Sequence, residues 1–213
     1  MDAMILTPAA ARVVASLVEK AVATPQYYPM TVNALMLAAN QKTSRSPVMN
    51  LNEGEIGAAL NDLLERGLVS RDDRSSRAVK WRHTFQHAFL LNPVTLAVLA
   101  TLMLRGPQTA AELRANAAAT GGPADGAALN EALRDLGDRA KPLVVLLPRS
   151  PGQKEARYAH LLCGETFAAD AGAAVAASAP AAPAAPAPGG LAALEQRLQD
   201  LEARIAALEN ARA

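Results

Sequence analysis

The sequence predicts a mainly helical α+β fold with two small β-hairpins, and residues 51–82 show its plan most clearly. Apolar residues in the first part of this stretch recur at helical spacing, at Ile56, Ala59, Leu60, Leu63 and Leu64. Asn52 and Glu55 match a capping box at the helix start, and Gly67 suits its end because glycine tolerates a positive φ. Two β-like runs then flank the polar tip DDRSS, which predicts a hairpin. A helix followed directly by a charged hairpin is typical of the third helix and wing of a winged helix-turn-helix domain.

Two shorter helices are predicted before that unit. Thr7 and Pro8 have the residue types of an N-cap and a first helical position. Thr31 caps a second helix, which a polar loop at residues 40–50, NQKTSRSPVMN, separates from the third. The order helix, helix, helix, hairpin is that of a winged helix, so residues 5–90 are predicted to form winged-helix domain 1.

The same order recurs in the second part of the chain. Asn92 and Pro93 repeat the start of the first helix, Thr109 and Asp125 can cap two more helices, and the runs LVVLLPR and RYAHLL flank a Pro-Gly tip. Two units of this order and similar length indicate a duplication, although few residues are identical between them. Residues 91–165 are therefore predicted to form winged-helix domain 2.

The C-terminal part differs in composition from both units. Residues 169–190 combine alanine and proline, which predicts a flexible, semi-extended linker without a helix. Across residues 191–210, leucine or isoleucine recurs at steps of three and four, as at the a and d positions of a coiled coil.

These heptads predict that the chain associates with itself. In a parallel pair Arg197 would face Glu202 and Arg204 would face Glu209, whereas an antiparallel pair would bring like charges together. We therefore expect a parallel coiled-coil homo-oligomer, most simply a dimer, and leucine at both a and d leaves a trimer open. The predicted contact residues are Leu191, Leu194, Arg197, Leu198, Leu201, Glu202, Arg204, Ile205, Leu208 and Glu209. The alternative is a monomeric amphipathic helix that packs on the rest of the chain.

The bulk composition excludes several classes of protein. The net charge is only +1, so the chain lacks the strongly basic balance of many nucleic-acid-binding proteins. The single cysteine, Cys163, excludes an internal disulfide, suits a reducing compartment and is expected to be a small buried residue. Neither a signal sequence nor an apolar run of membrane-spanning length is found, so we expect a cytoplasmic protein without membrane contact.

Enzyme, metal and cofactor motifs are missing from the sequence. It contains no phosphate-binding glycine loop, nucleophile elbow or cysteine–histidine metal pattern. His83 and His87 are four residues apart, but they straddle a predicted strand end and no third ligand is nearby. We therefore expect a protein that is not an enzyme and uses no cofactor and no metal.

Three stretches of the chain are distinctive. They are TPQYYPMTVNAL at residues 24–35, NQKTSRSPVMNL at residues 40–51 and LPRSPGQKEARYAHLL at residues 147–162. In these stretches the chain resembles the YceH family, bacterial proteins with two winged-helix domains and no agreed biochemical function, and the resemblance covers residues 5–163. One position departs from the family pattern, because Ser46 stands where an acidic residue is expected before Pro47. The resemblance implies the tandem fold, supplies no catalytic residues, and leaves the linker and heptads as an extension.

Winged helices commonly bind DNA by placing the third helix in the major groove, where Arg, Lys, Asn or Gln side chains reach base edges. The outward positions of this third helix are Glu53, Glu55, Ala58, Asn61, Asp62 and Glu65. Those of the second unit are Asn130, Glu131, Arg134, Asp135 and Asp138. Because acids dominate both sets, major-groove readout is not expected, and Asn61 is the one plausible base reader of the first set.

Basic residues concentrate instead in the hairpins and in the polar loop. The candidate nucleic-acid-binding residues are Lys42, Arg45, Asn61, Arg71, Arg74, Arg77, Lys80, Arg149, Lys154 and Arg157. Contacts from such residues to the phosphates of double-stranded DNA would give weak, salt-sensitive binding. The alternatives are that the hairpin tips are only solvated, and that the loop is held by internal hydrogen bonds that set the angle between two helices.

Two functional hypotheses follow from the sequence. The first is a non-enzymatic, DNA-associated regulator that binds through hairpin and loop, with dimerisation joining two weak sites. The alternative is a protein–protein interaction adaptor whose winged-helix domains bind an unidentified protein and no DNA. The acidic third helices favour the adaptor, and the arginines of the hairpins favour DNA.

Overall fold

The computed structural model describes residues 5–72, 78–149 and 153–178, and it confirms a mainly helical fold with small antiparallel sheets. The first half contains α1 Pro8–Ala23, a 3₁₀ turn Pro25–Tyr27, α2 Val32–Ala39, α3 Glu53–Glu65, β1 Val69–Asp72, β2 Lys80–His83 and α4 Phe85–Ala88. The second half contains α5 Pro93–Arg105, α6 Ala110–Ala117, a 3₁₀ turn Ala118–Thr120, α7 Gly126–Gly137, β3 Val144–Leu147, β4 Arg157–His160 and α8 Glu165–Ser178.

The predicted helix starts are confirmed. In each of the six long helices that precede the hairpins, the capping side chain accepts a hydrogen bond from the backbone N–H three residues later, and the caps are Thr7, Thr31, Asn52, Asn92, Thr109 and Asp125. Gly67 has the positive φ expected after α3. Side-chain oxygens at these positions satisfy amides that have no partner within the helix, so the sequence fixes where each helix begins.

The two hairpins have the same construction. In the first, Val69 pairs with His83 and Asp72 pairs with Lys80; in the second, the ladder runs from Val144 opposite His160 to Leu147 opposite Arg157. In each half, a single residue before the second helix also bridges to the second strand. Met30 bridges to Trp81, and Gln108 bridges to Tyr158. Each hairpin therefore has a minimal third strand on the side of its second strand.

One hydrophobic core runs through both halves. The first helices of the halves, α1 and α5, pack against each other, and α3 and α7 pack on α1 and α5 respectively. The start of the chain also reaches the second hairpin, because the Leu6 amide donates a hydrogen bond to the Leu162 carbonyl at 2.7 Å. Residues 5–177 lie in one compact unit.

The prediction of a helix-free linker from residue 169 is wrong for residues 169–178, which belong to α8. Alanine has the highest helix propensity, and the first proline of this region is Pro180, so nothing in the sequence stops the helix earlier. Residues 179–190 and the heptads lie outside the described residues. Within the described ranges, no helix is both long and apolar enough to cross a membrane.

Candidate interaction surfaces

The outward face of α3 is acidic, as the sequence predicts. Glu53, Glu55 and Glu65 are exposed, and Asn61 is exposed beside them. Arg66, which follows the helix, donates a hydrogen bond to Asp62 at 2.7 Å. This face therefore presents negative charge to any partner.

The first hairpin carries the exposed cation Arg71. Its guanidinium lies 5.2 Å from the centre of the Trp81 ring, a cation–π distance, and Lys80 lies partly exposed on the other strand. Arg82 pairs with Asp72 across the strands. Two more predicted contact residues, Arg74 and Arg77, lie outside the described residues.

The structure corrects the assignment of Arg45 as a nucleic-acid contact. Its side chain has no exposed surface, and it donates hydrogen bonds to the Ala38 carbonyl and to the carboxylate of Glu19, the shorter of the latter at 2.6 Å. Burial opposes the ionisation of Glu19, but the hydrogen bond and charge of Arg45 outweigh it and lower the pKa of Glu19. Arg45 is a buried structural residue, while Lys42 in the same loop is exposed.

Internal hydrogen bonds hold the polar loop at residues 40–51. The Asn40 side chain accepts from the Leu51 amide and donates to the Leu51 carbonyl, both at 2.8 Å. Arg12, buried in α1, donates to the Ala39 and Pro47 carbonyls. Burial and the charge of Arg45 lower the pKa of Arg12 to about 10. The structure thus supports the internally bonded alternative for this loop.

The same loop joins the two halves. The Ser46 amide donates to the Leu104 carbonyl at 2.9 Å, and Arg105 donates to the Ser44 hydroxyl at 2.7 Å. Both acceptor and donor in the second half lie at the end of α5. The loop therefore acts as a connection between the halves and not as a free recognition loop.

In the second hairpin, Arg157 is largely occupied within the fold. It donates to the Glu112 carboxylate at 2.6 Å and to the Pro107 carbonyl at 3.2 Å. Burial opposes ionisation of Glu112, but the Thr109 amide and Arg157 lower its pKa overall. The Arg157 side chain is 20% exposed, so its assignment as a phosphate contact stays a prediction. Arg149 and Lys154 are exposed, and the Arg149 guanidinium lies 3.4 Å from the Lys154 carbonyl.

The titratable residues near the hairpin bases are shielded from solvent to different degrees: His160 is buried, whereas His83 and Cys163 are half-buried. Burial, with the charges of His87 and Arg82, lowers the pKa of His83 to about 4, and burial lowers that of His160 to about 4. Burial raises the pKa of the Cys163 thiol to about 11, which makes it a poor nucleophile. Among the residues the structure describes, no three His, Cys, Asp or Glu side chains are grouped to hold a metal.

A groove of about 610 Å³, which sequence reasoning missed, lies between α7 and the second hairpin. Its apolar lining includes Leu133 of α7, Val144 and Leu146 of β3, and Tyr158 of β4. Leu146 is 51% exposed. The run LVVLLPR predicts a β-strand, but only the order of the strands shows that β3 lies at the edge of its sheet.

Comparison with known proteins places the chain in a family. Residues 6–153 match the family described as "Protein of unknown function, DUF480". The chain belongs to this family, which is the one called YceH, and the resemblance drawn from the sequence is confirmed.

Several curated relatives carry the family designation UPF0502. A UPF0502 protein of Geobacter metallireducens is 51% identical over 153 residues, 72% of this chain and 70% of its own length. Relatives from Azoarcus sp. and Burkholderia orbicola are 45% and 43% identical and cover 97% and 95% of this chain, with 90% and 86% of their own lengths. The tail lies outside the family match, yet these two alignments extend into it, so it is not an extension peculiar to this chain.

Proposed function

We propose that the two halves are tandem winged-helix domains. Each has three helices followed by an antiparallel hairpin, and in each a residue before the second helix bridges to the second strand of that hairpin. The first and third helices occupy equivalent places in the common core. This repeated order, together with the repeated caps, supports the assignment.

We propose further that the protein is a non-enzymatic adaptor that binds another protein through its winged-helix domains. The observation that carries this proposal is the acidic outward face of α3, where Glu53, Glu55 and Glu65 are exposed. Such a face repels the phosphates of a DNA groove and complements a basic protein surface. The internal use of Arg45 and Arg157 points the same way, because two of the proposed phosphate contacts are already occupied.

Site-specific photo-cross-linking in cells that express the full chain tests the adaptor. A benzophenone amino acid at Asn61 of α3 is expected to give a discrete protein adduct, and the same group at exposed Ala111 of α6 serves as the matched control. Replacing Glu53 and Glu65 with lysine should remove the adduct. Adducts that are equal at Asn61 and Ala111, or that survive the charge reversal, would contradict recognition by the acidic face.

A DNA-associated role is the second candidate, and a specific observation favours it. Arg71, stacked over Trp81, and Lys80 place two cations on the first hairpin, and Lys42 adds an exposed cation in the polar loop. Fluorescence anisotropy of labelled random duplex DNA, at roughly 50 and 200 mM salt, tests this role because phosphate contacts weaken steeply over that range. Salt-sensitive binding that Arg71→Glu abolishes would support it, and no binding at the lower salt would exclude it.

We propose that residues 191–210 form a parallel coiled coil that joins two copies. The support comes from the heptad spacing and from the complementary placement of Arg197 with Glu202 and of Arg204 with Glu209. Sedimentation equilibrium of the full chain should give twice the chain mass. Reversing Glu202 and Glu209 to lysine should lower the association constant at least tenfold, and a monomer at all concentrations would contradict the proposal.

A further inference from the structure

The outer edge of β3 has backbone groups that find no partner within its sheet. Tyr158 of β4 exchanges both backbone hydrogen bonds with Gln108, at 2.7 and 3.0 Å, on the side away from β3. Its cross-strand neighbour Leu146 is therefore in a non-hydrogen-bonded pair, and the alternation of antiparallel strands gives Val144 the same character. The N–H and C=O groups of Val144 and Leu146 consequently face away from β4. Those of Leu146 point toward the open edge, whereas the Val144 carbonyl oxygen lies beside Gly137 at the end of α7, 3.9 Å from where a Cβ of that residue would be.

The groove described above runs along this edge. α7 forms its far wall, and the exposed Leu146 and the buried Val144, two residues apart, lie on one face of the strand beside Leu133. An extended chain that lies in this groove would meet the outward backbone groups of β3. A chain in this position could complete the ladder and place every second side chain on the apolar lining.

The charged rim of the groove indicates which chain would fit. Asp138 and Glu165 line it, both are exposed, and neither has an ion-pair partner among the residues the structure describes; Arg134 is the one cation in the lining. α7 also ends at Gly137 in the groove, and the C-terminal end of a helix carries partial negative charge. The rim therefore favours lysine or arginine side chains.

We propose that the second domain binds an extended segment of a partner protein by β-strand addition to β3, and that this segment alternates apolar and basic residues. The inference rests on the proposed adaptor function and adds to the acidic α3 face a second binding site, in the second domain, with the chemistry of its partner. Strand addition uses backbone hydrogen bonds for affinity and alternate side-chain pockets for specificity.

The first domain provides a natural contrast. Its edge strand β1 has the sequence VSRD, whereas β3 has VVLL. Arg71 occupies the position equivalent to Leu146, because each lies opposite the aromatic residue that pairs with the residue before the second helix. Arg71 covers its aromatic neighbour with a guanidinium. A charged side chain on an edge strand discourages strand addition, so the proposal applies to β3 and not to β1.

The test uses the full chain and a fluorescein-labelled heptapeptide of alternating lysine and valine, KVKVKVK. Binding is measured by anisotropy, against a peptide with glutamate in place of lysine and a peptide with every backbone nitrogen methylated. We expect the lysine peptide to bind at least tenfold more tightly than either control. In amide exchange by NMR, the Val144 and Leu146 amides should slow at least tenfold on binding, while the Val145 amide, already bonded to β4, should change little.

Leu146→Pro is the decisive variant. Proline removes the outward N–H without removing a β3–β4 hydrogen bond, and edge strands tolerate it at such positions. Arg71→Pro is the matched control at the equivalent position of β1. Leu146→Pro should weaken peptide binding at least tenfold, and Arg71→Pro should leave it unchanged. If Leu146→Pro fails to fold, Leu146→Lys keeps the backbone and should give the same loss through charge and lost apolar contact.

Several results would overturn the proposal. The peptide results would do so if the lysine peptide did not bind, if the methylated peptide bound equally well, or if binding did not slow exchange at Val144 and Leu146. A self-association that Leu146→Pro abolishes would also do so, because the occupant would then be a second copy of the chain. Cross-linking from Asn61 distinguishes failure of strand addition at β3 from failure of the adaptor function. An acid-dependent protein adduct there, combined with failure of the peptide, rejects strand addition and retains the adaptor.

Discussion

The two halves of the molecule repeat one backbone plan with different polar chemistry. Between its second and third helices the first half has a twelve-residue polar segment, 40–51. Arg45 of this segment is buried and pairs with Glu19 of α1. The second half makes the same connection with a short turn in which Gly122 packs on Ala117. The first edge strand is polar, whereas the second is apolar and borders the groove.

This contrast suggests that the two halves contribute differently to the molecule. Breaking a buried ion pair is costly, so the Arg45–Glu19 pair holds the polar loop of the first half in one geometry. The same loop contacts the end of α5 in the second half. The second half satisfies its core with small and apolar residues and leaves a strand edge available. The first half would then fix the arrangement of the two halves and present the acidic face of α3, and the second half would offer the edge of β3.

The largest expected effect comes from breaking the buried pair of the first half. Arg45→Ala leaves the Glu19 carboxylate without its main partner and the Ala38 carbonyl without its donor. We expect a loss of about 3–5 kcal/mol in the free energy of unfolding, measured by urea denaturation. Lys42→Ala, an exposed cation of the same loop, should change stability by less than about 0.5 kcal/mol. A loss below about 1 kcal/mol for Arg45→Ala would show that the pair is not a structural anchor.

The second prediction concerns the histidine that ends the second strand of each hairpin, half-buried His83 in the first half and buried His160 in the second. The folded state holds the pKa of His160 at about 4, below the ordinary value of 6.5, so the unfolded chain takes up a proton first as the pH falls. Stability should therefore fall between pH 6.5 and 4, by up to about 3 kcal/mol for this group, and level off below.

Urea denaturation at several pH values between 5 and 7 measures this dependence above the range in which Glu19 and Glu112 titrate. His160→Gln should flatten the pH dependence, and His83→Gln should do the same in the first half. An unchanged slope in His160→Gln would mean that His160 is not held neutral.

The third prediction concerns the short connection of the second half. A Cβ at Gly122 would lie 2.5 Å from the Ala117 Cβ and 2.6 Å from its carbonyl oxygen, closer than these atoms can approach. Gly122→Ala should therefore cost about 1–3 kcal/mol of unfolding free energy. Gly126→Ala is the matched control, because a Cβ there meets nothing within 4 Å and alanine favours the start of α7. Equal stabilities of the two variants would contradict the close packing.

Local chemistry explains what could be predicted from the sequence. Caps such as Thr31 and Asp125 act on amides three residues away, so the sequence contains both partners of each interaction. The two hairpins likewise follow from β-like runs and turn residues over a short span. The order of the six capped helices and the two hairpins could therefore be derived from the sequence, whereas α4 and the two 3₁₀ turns were not predicted.

Long-range packing explains what could not be predicted. Arg45 reads as a surface cation in a polar loop, and its burial depends on Glu19, which lies 26 residues away in the chain. The openness of the β3 edge depends on Gln108 pairing with β4 and not with β3. Helix α8 was not predicted. The prolines that begin at residue 180 indicate a linker, whereas the alanines before them favour a helix.

The smallest expected effects come from the capping boxes that both halves contain. Asn52→Ala and Thr109→Ala should each cost about 1 kcal/mol, because each side chain accepts one helix-terminal amide. The glutamates of the two boxes differ, since Glu112 also accepts from Arg157 whereas Glu55 binds only within its box in the described residues. Glu112→Ala should therefore cost about 0.5–1 kcal/mol more than Glu55→Ala. A double-mutant cycle with Arg157→Ala should recover that difference for Glu112 and none for Glu55; equal couplings would mean that the ion pair adds nothing to the cap.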